Sequence, residues 1–165
     1  MRVAVISDTH LPRGRRRLPE ACVAHLRAAD LILHAGDFSD ASVLDELEAL
    51  GPPVAGVQGN TDDLAVCRRV PSARMVDAGG VRIAIVHDAG PAAGRLRRLR
   101  TRFPDADAVV FGHSHIPLHE RDGDGFQIFN PGSPTERRRA PAHTMGLAHL
   151  EDGRLRFVLI PFTVS

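Results

Sequence analysis

Over the first two thirds of the chain, short aliphatic runs alternate with longer stretches whose apolar positions fall at helical spacing. Arg2 to Ile6 is rich in β-branched residues and stops at the polar cluster Ser7-Asp8-Thr9-His10. Leu18 to Ala29 places Leu18, Cys22, Val23 and Leu26 on one helical face. A strand over Leu31 to Leu33 follows, running into His34-Ala35-Gly36-Asp37. Asp40 to Leu50 predicts a helix with Asp40 as N-cap and Gly51-Pro52-Pro53 as its stop. Val54 to Val57 is the third strand and ends at Gly59-Asn60. This β-α-β-α-β order predicts a parallel sheet covered by helices.

The texture changes from residue 74. Arg74–Asp77 and Val81–Val86 flank Ala78-Gly79-Gly80 and predict a hairpin. A helix from about Pro91 to Arg102 and a strand over Ala108 to Phe111 come next. Pro117–Glu120, Gly125–Phe129, Thr144–Leu150 and Leu155–Ile160 then read as antiparallel strands, with turns at Asp122-Gly123 and Asp152-Gly153. The expected fold is α/β: two stacked mixed β-sheets flanked by outer helices, in one domain spanning residues 1–165.

Composition narrows the class without adding chemistry. A 165-residue chain with 43% hydrophobic and 25% charged residues has the profile of a soluble globular domain. No run approaches the roughly 20 apolar residues of a membrane span. The opening MRVAVIS lacks signal-peptide features, so a cytoplasmic location and no membrane partner are expected. Cys22 and Cys67 lack metal-type or redox-type spacing and read as reduced thiols. A net charge of +1 and the absence of Trp and Tyr argue against extended nucleic acid as a partner. Self-association stays open.

The informative feature is where the metal-ligating side chains fall. Asp8 and His10, Asp37, Asn60, His87, and His113 with His115 each follow a strand-like run. At that edge of an open α/β sheet the loops converge and ligand sites assemble. Singly, each turn is ordinary. Together they offer two carboxylates, an amide and four imidazoles, a mixture suited to Mn, Fe, Ni or Zn more than to Mg or Ca.

Asp8-Thr9-His10, Gly36-Asp37, Gly59-Asn60-Thr61-Asp62, His87, Gly112-His113-Ser114-His115 and Asn130-Pro131-Gly132-Ser133 occur in an order that resembles the calcineurin-like metallophosphoesterases, specifically the small YfcE-type phosphodiesterases. The resemblance implies two divalent metal ions, Mn foremost. Asp8, His10, Asp37 and His115 would hold the first, and Asp37, Asn60, His87 and His113 the second, with Asp37 bridging. It also implies in-line hydrolysis of a small phosphate ester by a metal-bridging hydroxide, with Asp37, Asn60 and His87 counted as catalytic. Two other functions stay in play: a metal-binding interaction scaffold, because one retromer subunit keeps this fold without evident catalysis, and a nucleotide phosphatase or nuclease.

The chain departs from larger relatives by carrying Thr61 where they have a His that protonates the leaving group. A threonine hydroxyl is a poor acid, which favours esters with good leaving groups. Asp88, in place of a common glycine, fits either an acceptor for an imidazole N–H or a turn residue. His34 is expected to support the site structurally, and Asn130 to Ser133 to brace it as a rigid turn. His25, His119, His143 and His149 match no motif. Arg13, Arg15 to Arg17, and Arg137, Arg138 and Arg139 follow turns that should open on the metal edge, where they would recognise an anionic part of the substrate. Arg95, Arg97, Arg98, Arg100 and Arg102 read as the solvated face of their helix.

Overall fold

The computed structural model describes residues 1–14 and 16–162, so Arg15 of the first arginine cluster lies outside the described residues. The chain forms β1 (Arg2–Ile6), α1 (Glu20–Arg27), β2 (Leu31–His34), α2 (Ala41–Glu48), β3 (Val54–Gly56), α3 (Leu64–Arg69), β4 (Ala73–Ala78) and β5 (Val81–Val86). It continues through α4 (Arg95–Arg102), β6 (Ala108–Val110), β7 (Leu118–Arg121), β8 (Gln127–Asn130), β9 (His143–Glu151) and β10 (Arg154–Phe162). One five-stranded sheet has the order β10-β9-β1-β2-β3 and the other β4-β5-β6-β8-β7. Both are mixed, as expected of two stacked sheets with outer helices.

Strand alternation builds three apolar layers. Val3, Val5 and Leu33 face the opposite sheet and pack in one cluster with Ile83, Ile85, Val110 and Phe129. Ala4, Ile6 and Ile32 point the other way, against Leu26 of α1 and Val43, Leu44 and Leu47 of α2. Ala84, Val86 and Val109 pack with Leu99 of α4. Asp40 caps α2 as its sequence predicts, accepting the Ser42 N–H at 2.8 Å. Among the described residues no helix is long and apolar enough to cross a membrane.

Three readings change. Helix α3 is absent from the periodicity because it is short and buries only Val66; Asp63 forms it locally by accepting the Val66 N–H at 2.7 Å. Strand β8 is antiparallel to β7 but parallel to β6. Its four residues are buried throughout whereas β7 is mostly exposed, so the apolar strand takes the inner place and the polar one the edge. The α4 arginines are not simply a solvated face. Arg95 and Arg100 lie over the rings of Phe111 and Phe126, at 5.2 and 5.0 Å, and Arg98 donates to the Ala89 and Pro91 carbonyls at 2.6 Å.

Parallel pairing aligns β1, β2 and β3 in one sheet and β5, β6 and β8 in the other. Stacking brings the ends of the two triplets together: the His113 N–H after β6 donates to Asp8 after β1, and His87 after β5 bonds the Ala35 carbonyl after β2.

Candidate metal centre

Every one of those six parallel strands delivers polar side chains to this shared edge. The backbone there is strained: Asp8, His10, Asp37, His113 and His115 all have positive φ, between 45° and 68°. Five of the seven candidate ligands thus sit in a conformation that non-glycine residues seldom adopt, at a cost of about 1 kcal/mol or more each. Such strain persists only where the surroundings over-determine it.

Those surroundings are specific. Ser133 Oγ donates to the Asp8 carbonyl at 2.8 Å, and Thr135 Oγ1 to the Thr9 carbonyl at 2.6 Å. Asn130 Nδ2 donates to the Gly112 carbonyl at 2.9 Å, so the Asn130–Ser133 turn is tied to the loops on either side. Asp62 joins two further loops by accepting the Ser39 and Gly59 N–H groups, each at 2.7 Å. Glycine is required where loops touch. A Cβ on Gly59 would lie 2.1 Å from Asp37 Oδ1, and one on Gly112 would lie 1.8 Å from Ser7 Oγ and 2.7 Å from Asp8 Oδ2.

Within this frame the seven side chains meet. His115 Nε2 is 3.4 Å from Asp8 Oδ1 and 3.1 Å from His10 Nε2. Asp37 Oδ2 lies 3.5 Å from His10 Nε2 and 3.3 Å from His87 Nε2, so one carboxylate oxygen touches both halves of the cluster. Asn60 Oδ1 is 3.1 Å from His87 Nε2 and 3.0 Å from His113 Nδ1. Two groups of buried residues could each hold a cation: Asp8, His10 and His115, and Asp8, Asp37 and His87. Asp8 therefore reaches both groups, a contact absent from the division expected from sequence, where only Asp37 is shared.

Tautomers show what this arrangement lacks. A backbone carbonyl only accepts, so His87 Nδ1 donates to Ala35 O at 2.7 Å and His115 Nδ1 donates to Glu136 O. With Nδ1 committed as the donor, it is Nε2 of each ring that turns inward, toward carboxylate oxygens and another imidazole nitrogen. Once deprotonated, these Nε2 atoms and the carboxylate oxygens converge as lone pairs that a shared cation would satisfy. Ligands about 2.0–2.2 Å from a metal stand about 3–3.5 Å from each other, close to the separations here. The residues fit a pair of divalent ions on the chemistry of the donor set.

Electrostatics point the same way. Burial pushes the Asp8 carboxyl up to about 7, against the lowering effect of the Ser7 hydrogen bond at 2.6 Å. Burial pushes His115 down to about 4 and lowers His10. Burial opposes charge on His87 as well, but its bond to Asp37 and the Asp8 and Asp37 charges outweigh it and raise its pKa. Burial likewise opposes an ionised Asp37, yet hydrogen bonds from His87 and the Thr61 N–H hold its carboxyl far below the usual range. Both directions place the proton on His87 and leave Asp37 ionised beside it.

Other residues fall outside the cluster. His34 is fully buried, stacks on Phe38 with ring centroids 3.6 Å apart and bonds Thr9 Oγ1 at 3.0 Å; burial pushes it down to about 3. Asp88 is exposed and accepts the Gly90 N–H at 2.7 Å, the turn role of its two readings; the His87 ring N–H is already taken by Ala35. Thr61 Oγ1 lies 3.3 Å from His10 Nδ1. Arg13 and Arg16 converge on Glu136 Oε2 at 3.5 and 3.0 Å, and Arg137 is spent on the Ala140 carbonyl at 2.8 Å. Sequence reasoning missed Thr135 and Glu136, and quoted Ser7 and Asp62 without a role. Nothing local marks Thr135 and Glu136, because their partners lie far off in the chain.

The profile of the calcineurin-like phosphoesterase superfamily domain matches residues 1–153. A probable metallophosphoesterase of Methanothermobacter thermautotrophicus is 36% identical over 149 residues, covering 89% of this chain and 85% of its own. Another, from Methanocaldococcus jannaschii, is 35% identical over 164 residues, covering 98% and 81%. In fold, the chain is similar to wild-type Vps29 of Entamoeba histolytica complexed with zinc, with a TM-score of 0.77 at 22% identity over 99% of this chain and 100% of that one.

Proposed function

From a chain that belongs to the calcineurin-like phosphoesterase superfamily, and whose buried Asp and His residues could hold two metal ions, we propose a phosphodiesterase acting on a small phosphate ester. The observation that carries this reading is Asp37 Oδ2, placed between His10 Nε2 and His87 Nε2 at 3.5 and 3.3 Å. Asp8, His10, Asp37 and His115 would hold one cation and Asp37, Asn60, His87 and His113 the other, with Mn the first candidate and Fe, Ni or Zn also suited to the donors. Two such ions, when bound, acidify a water nucleophile and neutralise charge on the phosphoryl oxygens.

The residues of the chain do the rest. Asp37 and Asp8 supply the negative charge that lets two cations share a small volume, and the carbonyls of Ala35 and Glu136 lock His87 and His115 with their Nε2 atoms turned inward. Asn60 and His113 are the exposed members of the set, and their bond at 3.0 Å leaves this side of the cluster open to a substrate. The neighbouring hydroxyls, Thr61 Oγ1 and Ser39 Oγ, lie 3.3 and 3.4 Å from His10 Nδ1, and neither is acidic enough to protonate an alkoxide. Diesters whose leaving group departs as a stable anion are therefore the favoured substrates.

The test is turnover of bis(p-nitrophenyl) phosphate and p-nitrophenyl phosphate by protein reconstituted separately with Mn, Ni and Zn. We expect diester cleavage that Asp37→Ala abolishes. Protein that binds two metal ions per chain and cleaves neither ester would instead support a scaffold.

A further inference from the structure

Of the arginines at the metal edge, most are already engaged. Arg13 and Arg16 share Glu136, and Arg137 closes its own turn by donating to Ala140, whose N–H returns a bond to the Arg137 carbonyl at 2.8 Å. Among the described residues Arg138 and Arg139 form no ion pair, though both are exposed beside the cluster. Arg138 has a φ of 46°, an unfavourable conformation for a long side chain, inside the turn that Arg137 clasps. That turn sets its guanidinium against His113, where Nη1 donates to the main-chain carbonyl at 3.2 Å, and among the described residues the other N–H groups are unspent.

Arg138 and Arg139 line a cavity of about 340 Å³ together with Ser114 and Ile116. Ser114 lies between the candidate ligands His113 and His115 in the chain and Arg138 bonds the His113 carbonyl, so the cavity lies beside the metal centre. Two arginines lining one cavity suit phosphate oxygens, which a guanidinium can bind with two N–H groups at once. Ile116, 39% exposed, gives the cavity an apolar wall.

We propose that Arg138 and Arg139 form an anion subsite reading a second phosphate on one ester group of the substrate, with Ile116 contacting the carbon skeleton between the two phosphates. This rests on the phosphodiesterase reading and narrows its substrate class to small phosphodiesters that carry a further phosphate monoester.

Two p-nitrophenyl esters test it, thymidine 5′-(p-nitrophenyl phosphate) and the same compound bearing a 3′-phosphate. They share the attacked phosphorus and the leaving group and differ only in the second anion. Mn-loaded wild-type protein should have a KM about ten-fold lower for the 3′-phosphorylated compound, with similar kcat for both. In Arg138→Gln/Arg139→Gln the KM ratio should fall to about one, and Arg138→Lys/Arg139→Lys should keep part of it, with circular dichroism confirming that each variant is folded. A wild type indifferent to the 3′-phosphate, or a glutamine variant that keeps the preference, overturns the subsite. If neither ester is cleaved, the hydrolase reading fails by itself. Calorimetric Kd values for thymidine 3′,5′-bisphosphate against thymidine 5′-monophosphate, on the same proteins, then decide the subsite by the same ratio.

Discussion

Asp8→Asn should make the metal-free protein more stable at neutral pH while removing its response to divalent metal. The Asp8 carboxyl is wholly buried, and burial raises its pKa from 3.8 to about 7. Between those values the folded chain holds a proton that the unfolded chain has released, so stability falls as pH rises through the interval. The cost is absent below pH 3.8 and complete above about pH 7. At about 1.4 kcal/mol per pH unit, the slope amounts to about 4 kcal/mol over the whole window. Asparagine removes the titration and fits the site. Its Oδ1 can accept the Ser7 hydroxyl and the His113 N–H, and its amide group can donate to His115 Nε2, 3.4 Å from the present Asp8 Oδ1. Urea denaturation of chelator-treated wild type and Asp8→Asn at intervals from pH 4 to 8 measures the difference directly. The variant should gain on the wild type steadily up to about pH 7, and adding Mn should stabilise the wild type only. A difference that stays flat with pH would refute the claim that burial holds this carboxyl protonated.

Three further outcomes follow from the same geometry. Loading the protein with metal at pH 6 should release protons, because the raised pKa values of Asp8 and His87 make them compete with the cation; affinity should climb between pH 6 and 8, as calorimetry in buffers of different ionisation enthalpy would show. Asp62→Ala frees the Ser39 and Gly59 N–H groups that it now holds at 2.7 Å, so metal affinity should drop about 10- to 100-fold while the melting curve of the metal-free protein stays cooperative. Gly112→Ala, with its Cβ 2.7 Å from Asp8 Oδ2, should displace that carboxylate and lower both metal content by elemental analysis and stability, by about 2 kcal/mol or more.

Parts of this molecule are legible without coordinates because the forces behind them are local. Short apolar runs rich in β-branched residues mark β1 and β5 at their observed bounds, and Asp40 announces α2 because its cap bond spans two residues. The Gly79-Gly80 and Asp152-Gly153 pairs, all at positive φ, are turns that their own backbone preferences specify. Helix α3 escaped because one buried valine leaves no period to read. The place of β8 escaped because pairing order depends on which strand of a hairpin the core accepts.

The amino-acid order by itself determined which chemical groups stand at the ends of the strands, since strand length and turn chemistry are properties of short segments. Only the stacking of two sheets decided that those groups face one another, that Asp8 touches both halves of the cluster, and that a carboxyl and several imidazoles leave their ordinary pKa ranges. Burial and the approach of charges from distant segments arise when the chain closes on itself, so local sequence carries no measure of them.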